Sequence, residues 1–294
     1  MRSALAAAFS AALLASCAHG QINTPVAMTG CDHPTGWSDQ VRAAADETWL
    51  YAQMAANAYE PPAAFLLGDR IVERERRGND EIGFAYVIFE RLSEEGEASS
   101  WIIAYRGTEN SRRPLRDWIY GNLLGRQNAR GIAVYRALRE KLGKTAEISV
   151  TGHSLGGAIA THVSLCEPGV KSYIFNSSPR FWRCNGARID NLRRSVVEMG
   201  EALFVVRGPM AEATQRYTAI NCVQRGSSIY QHGMGLLARC LTDIAAWNDA
   251  GAKASLARNN LSWPPVDDPD VVQARRRACA AIAAARIDGP GLAG

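Results

Sequence analysis

Between Val150 and Ala158 the chain reads Gly152-His153-Ser154-Leu155-Gly156-Gly157. A serine hydroxyl attacks carbonyl carbon when it stands on a sharp strand-to-helix turn within reach of a general base. The flanks have that form. Glu147 to Val150 reads as a short strand, and Leu155 to Cys166 as a helix of small residues. Glycine suits positions 152 and 156, because side chains there would collide with the neighbouring strand and helix. A helix opening at Leu155 also turns a free backbone N–H toward the charge that develops on an attacked carbonyl oxygen. The implied chemistry is acyl transfer through Ser154.

A serine nucleophile needs a base, and the chain has five histidines. His19 and His33 fall in the leader and lead-in. His153 sits inside the motif and is read as pointing elsewhere, and His162 lies in the following helix, one face away. That leaves His232, within Ile229-Tyr230-Gln231-His232-Gly233-Met234. It would take the Ser154 proton and return it to the leaving group.

The elements that must hold these groups follow from periodicity. Apolar residues at Leu50, Tyr51, Met54, Ala55 and Ala58 predict a helix over Glu47 to Tyr59, stopped by Pro61-Pro62. Phe84 to Phe89 and Trp101 to Tyr105 predict a hairpin around the turn Glu94-Glu95-Gly96-Glu97. A helix over Gly131 to Leu142, closed by Gly143, comes next. After the nucleophile, strands are predicted at Lys171 to Phe175 and Ser195 to Met199, and a last helix at Asp267 to Arg286, with Asp267 or Asp268 as N-cap. Strands alternating with helices predict an α/β domain, with a mostly parallel central sheet and helices on both faces. There is no internal repeat, and one domain is expected over residues 41–294.

With these elements in place, three segments resemble the class 3 (fungal-type) lipase family of the α/β-hydrolase fold. They are Val150-Thr151-Gly152-His153-Ser154-Leu155-Gly156-Gly157-Ala158, Ile102-Ile103-Ala104-Tyr105-Arg106-Gly107-Thr108, and the looser Tyr173-Ile174-Phe175-Asn176-Ser177-Ser178-Pro179-Arg180. In the third, Ser177 replaces the family's usual glycine. The order matches too, and the resemblance covers about residues 45 to 245. It implies an oxyanion hole from Thr108 and the N–H of Leu155. It also implies a triad in the order Ser, acid, His. Glu201 stands where the family usually has aspartate. Asp190 and Glu198 remain rivals for that place, with Glu212 more distant. The resemblance further implies that residues 109–128 form a lid, and a helix with Leu115, Trp118, Ile119 and Leu123 on one face suits either a lid or a permanently packed wall. The implied activity is hydrolysis of acyl-lipid esters, as a lipase, phospholipase A1 or esterase, with no metal or organic cofactor. Action on peptides or polyesters is the neighbouring alternative, since the same groups serve acyl transfer broadly. A lipid-anchored surface protein that binds through a retained hydrolase fold is the alternative of another class.

Composition bounds the rest. The 294 residues are 47% hydrophobic and 21% charged, with a formal net charge of +4. Arginine clusters at Arg112-Arg113, Arg193-Arg194 and Arg275-Arg276-Arg277 are interleaved with acids and read as solvated helix faces, so nucleic acid is not an expected partner. Met1-Arg2 followed by an apolar run from Ala4 to Leu14 reads as a signal peptide. Leu14-Ala15-Ser16-Cys17 resembles a lipobox, which implies removal of the leader, lipidation of Cys17 and outer-membrane anchoring. Cleavage after Ala18, giving a secreted or periplasmic protein, is the alternative. Residues 18–40 read as a tether. Six further cysteines, Cys31, Cys166, Cys184, Cys222, Cys240 and Cys279, predict disulfides. None shows a Cys-x-x-Cys or Cys/His array of metal-ligand spacing, so no metal site is expected.

Overall fold

The computed structural model describes residues 33–59, 62–93, 99–107, 123–179, 184, 188, 190–204, 216–222, 226–263, 269–270, 272–277 and 280. Seven strands form one sheet in sequential order: β1 (Ile71–Arg77), β2 (Tyr86–Arg91), β3 (Ser100–Tyr105), β4 (Glu147–His153), β5 (Lys171–Phe175), β6 (Arg193–Glu198) and β7 (Arg216–Ile220). β1 to β3 are antiparallel neighbours, and β3 to β7 run parallel. The predicted hairpin pairs Tyr86 with Tyr105 and Arg91 with Ser100, while its turn lies outside the described residues.

The helices are α1 (Asp39–Asn57), α2 (Leu123–Leu142), α3 (Leu155–Cys166), the short α4 (Ser228–Gln231), α5 (Met234–Ala245) and α6 (Ala250–Arg258). Side-chain alternation along the strands sorts them into two layers. Ile103 and Tyr105 of β3 bury with Ile148 and Val150 of β4 against Tyr135 and Leu138 of α2 and Ile159 and Val163 of α3. Ile102 and Ala104, pointing the other way, bury against Met54 of α1 and its C-cap residue Ala58. Farther along that second face, α1, α5 and α6 close over Tyr173, Phe175, Val196 and Ile220. Gln53 ties the three helices together, donating to Thr242 Oγ1 at 3.0 Å and Ser255 Oγ at 2.9 Å. A mostly parallel sheet covered on both faces, with a serine elbow after its central strand, is the α/β-hydrolase fold.

Several boundaries differ from expectation. α1 starts at Asp39, capped by Ser38, whose Oγ accepts from Val41 N. Its first turns bury only Val41 and Ala45, a seam too thin to announce a helix. Trp37 belongs to the core, so packing reaches back into the stretch read as a tether. α2 begins at Leu123 rather than Gly131, because Gln127 and Asn128, though polar, are buried. β1 was hidden by its charged sequence, Ile71-Val72-Glu73-Arg74-Glu75-Arg76-Arg77, which suits a sheet edge. β7, α5 and α6 were not anticipated. The predicted last helix is helical at described residues 269–270 and 272–277, while its N-cap lies outside them.

Arg193-Arg194 is not a solvated helix face. Arg193 is 2% exposed and donates to Ser164 O, a carbonyl in the last turn of α3, at 3.1 Å and to Arg188 O in the later loop at 2.9 Å. Burial pushes its guanidinium below the usual arginine range. Arg194 pairs with Glu47 at 2.6 Å. Two disulfides occur among the described residues, Cys166–Cys184 and Cys222–Cys240, whereas Cys31 and Cys279 lie outside them. No described helix is long and apolar enough to cross a membrane.

Candidate functional site

Ser154 occupies the turn between β4 and α3 with φ 56° and ψ −123°. A non-glycine residue held there is strained, and such strain persists only where the surroundings enforce it. They do so through the backbone: Ser154 N donates to Phe175 O at 3.1 Å, and Ser154 O accepts from Ala158 N at 3.2 Å and Ser178 N at 2.9 Å. The glycines are steric requirements. A Cβ on Gly152 would overlap the Gly156 carbonyl, and one on Gly156 would overlap the Tyr105 carbonyl. Gly156→Ala is therefore expected to cost at least about 3 kcal/mol, since backbone on both sides must shift, read as a lowered thermal midpoint with loss of activity.

Leu155 is the first residue of α3, so its N–H has no partner within the helix. β3 delivers Gly107 to the same place, where an added Cβ would lie 3.1 Å from Ser154 Cβ and 2.6 Å from His153 O. Thr108 follows Gly107 in sequence and itself lies outside the described residues, as do 109–122.

His232 caps α4, and its Nδ1 lies 2.6 Å from Glu201 Oε2. Glu201 is 2% exposed, and the same oxygen accepts from Leu203 N at 2.8 Å, so Oε2 is held from two directions. The rivals are placed otherwise. Glu198 is buried, and its Oε2 accepts from Cys222 N at 3.0 Å. Asp190 is exposed on the surface. Glu212 lies outside the described residues.

His153 departs from the sequence reading. It shares strand parity with Ser149 and Thr151, and so points toward α1. Its Nε2 is 2.7 Å from the His232 carbonyl oxygen and its Nδ1 is 2.5 Å from Tyr59 Oη, with the two histidine rings 4.7 Å apart. A carbonyl only accepts, so Nε2 carries a proton, and in the neutral ring Nδ1 accepts from the Tyr59 hydroxyl. Asn176, at φ 40°, adds a second tie. Its Nδ2 donates to the His232 carbonyl at 3.4 Å, and its Oδ1 accepts from Glu198 N at 2.7 Å. The His232 backbone is thus fastened to the ends of β4 and β5, which also carry the elbow. Neither Tyr59 nor Asn176 was marked by the sequence. Tyr59→Phe is expected to lower kcat about tenfold with KM nearly unchanged, about 1.4 kcal/mol, because the tie steadies His232 rather than touching substrate. Separate kcat and KM values check this.

The chain is similar to a Rhizomucor miehei lipase in complex with its propeptide (16% identity, TM-score 0.37, 53% of this chain and 61% of that one). It is also similar to a lipase from Rhizopus microsporus var. chinensis (14% identity, TM-score 0.41, 63% and 76%) and to a hormone-sensitive lipase from a metagenome library (12% identity, TM-score 0.34, 71% and 98%). The chain thus spans 61% of the length of the Rhizomucor lipase. No family model matches the chain, and no curated protein does. Scores this low add no weight, and the fold assignment stands on strand order and the elbow.

The structure also brings together residues that the sequence reading kept apart. His162 and Cys166, four apart on α3, share a face with Cys184. The His-x-x-x-Cys spacing was a legible signal for this pair, while the contact with Cys184 depends on a long-range disulfide.

Proposed function

We propose that the chain is a serine-dependent carboxylic-ester hydrolase acting on acyl lipids. The observation that carries the reading is the strained Ser154 elbow together with a buried Glu201 paired to the half-buried His232, whose backbone is tied to the strand ends that carry the elbow. In this reading Ser154 Oγ attacks the ester carbonyl while His232 Nε2 takes its proton. Glu201 holds the imidazole by its Nδ1–H and offsets the charge it gains. The N–H of Leu155 and the donors of Thr108 meet the oxyanion, an arrangement in which each donor contributes about 3 kcal/mol of transition-state stabilisation. His232 then protonates the departing alkoxide. Water, activated by the same histidine, releases the acid from Ser154. No step calls for a metal or organic cofactor.

The proposal extends to location: Cys17 is lipidated after leader removal, and the domain works at an outer-membrane surface where its substrates concentrate. Metabolic labelling with a palmitate analogue tests this, with label expected on the wild type and absent from Cys17→Ala. Release of unlabelled wild-type protein to the medium or periplasm would instead support cleavage after Ala18.

The activity is tested with p-nitrophenyl esters from acetyl to palmitoyl. Turnover favouring long chains supports the lipid-ester reading, and turnover confined to acetyl and butyryl would restrict it to small esters. A folded protein inert toward every ester would support the retained-fold binding protein.

A further inference from the structure

Apart from the candidate catalytic site, the end of the nucleophile helix holds a second cluster with chemistry of its own. Cys166 and Cys184 are joined as a disulfide, and His162 lies beside them. The ligand atoms of the three side chains lie within 4.8 Å of one another, the only such group of three or more histidine, cysteine or acidic side chains among the described residues. His162 Nε2 is 3.5 Å from Cys166 Sγ and Nδ1 is 3.8 Å from it.

These distances suit a metal ion. Zinc binds thiolate at about 2.3 Å and imidazole at about 2.0–2.1 Å in a tetrahedron. Those lengths place nitrogen and sulfur about 3.6 Å apart on the same ion, close to the separation already present between His162 and Cys166. The two residues are held there by helical spacing, one turn apart on one face of α3, so most of the geometry precedes any metal. Cys184 enters from a separate segment. Its sulfur need only swing to a separation of about 3.8 Å from the other thiolate, the tetrahedral value for two such bonds. Two thiolates neutralise the dication, which suits a site whose histidine is 7% exposed. Cys166 and Cys184 are both partly exposed, which leaves an open side for a water as fourth ligand.

We infer that His162, Cys166 and Cys184 form a zinc site when the disulfide is reduced. Two electrons and two protons from a thiol or phosphine reductant cleave the S–S bond to two thiols. Zn2+ then displaces both thiol protons, forming two Zn–S bonds and one Zn–N bond. The disulfide and the metal exclude each other, since the sulfur electron pairs that bind zinc come from the reduced state. Either link fastens Cys184 to the end of α3, so the site is a clip with an oxidised, covalent form and a reduced, metal-held form. The second disulfide, Cys222–Cys240, has no histidine grouped with it among the described residues and provides an internal comparison.

Full-length protein, reduced anaerobically with a phosphine and then freed of it, is titrated with Co2+ as the spectroscopic stand-in for zinc, with circular dichroism following the fold. One equivalent is expected, with thiolate-to-cobalt charge-transfer absorption that Zn2+ abolishes, and none in the oxidised protein. His162→Ala should weaken binding about tenfold or more, in line with the loss of a group that tunes a metal site. The Cys222→Ser/Cys240→Ser protein should bind as the wild type does. Cys184→Asp supplies an oxygen ligand and cannot form the disulfide, so it should bind one equivalent without reductant, a result that holds even if the reduced wild type unfolds. Failure of both the reduced wild type and Cys184→Asp to bind would overturn the inference. So would binding that survives His162→Ala unchanged or disappears with Cys222 and Cys240.

Discussion

Ser154→Ala is expected to remove ester turnover almost completely, by about 10^6-fold in kcat, the scale on which loss of the nucleophile acts in serine hydrolases. The size follows from what the residue supplies. Ser154 is 3% exposed, and its strained φ of 56° is held by hydrogen bonds to β5 and the segment after it. That fixes where the hydroxyl stands before substrate arrives. Alanine keeps the turn and removes only the attacking oxygen, so the protein should remain folded, with a thermal midpoint within a few degrees of wild type. What remains is the polarising effect of the oxyanion donors and substrate binding, a residue of catalysis typical of such variants. Ester hydrolysis within tenfold of wild type in a folded Ser154→Ala protein would remove Ser154 from the mechanism.

Glu201→Ala should lower kcat by about 10^4-fold, somewhat less than loss of the nucleophile, because the acid orients and stabilises the base without reacting. The carboxylate is 2.6 Å from His232 Nδ1 and is itself fixed by Leu203 N. Without it, the imidazole loses both the partner that sets its tautomer and the charge that offsets its protonation. The rivals give the contrast. Asp190→Ala should leave kcat unchanged, since that carboxylate is on the surface. Glu198→Gln should lower stability rather than kcat, because its buried Oε2 accepts the Cys222 N–H. A pattern in which Glu198→Gln removes turnover and Glu201→Ala does not would reassign the acid.

How much of this was legible in the sequence depended on whether local backbone geometry set the pattern. The elbow was legible because Gly152 answers to a contact a few residues away, with Gly156, inside one short motif, although the constraint on Gly156 itself comes from distant Tyr105 on β3. α3 and β5 matched expectation end to end, α3 as a run of small and apolar residues and β5 through its apolar end Tyr173-Ile174-Phe175. Glu201 was legible only through resemblance. Three acids fall within twelve residues; exposure sets Asp190 aside, but Glu198 is as buried as Glu201, and only the long-range contact with His232, which sequence does not display, picks out Glu201. His153 was given no role because it is the variable residue of the motif, between Gly152 and Ser154, yet strand parity puts it on the face where Tyr59 waits. Asn176 and Tyr59 act through long-range hydrogen bonds, which leave no periodic trace. β1 was masked by charges that an edge strand tolerates. Thr108 and residues 109–122 of the expected lid fall outside those described, while residues 123–128 belong to α2, with Gln127 and Asn128 buried.

In the proposed mechanism Ser154 is an activated nucleophile. The most direct test of that role is reaction of the purified protein with a fluorophosphonate probe, followed by mass spectrometry of the digested chain. The account predicts one adduct, on the peptide carrying Ser154, absent from Ser154→Ala and formed far more slowly in Glu201→Ala. A folded protein that takes up no probe, or takes it up on another residue with Ser154 unmodified, would contradict it.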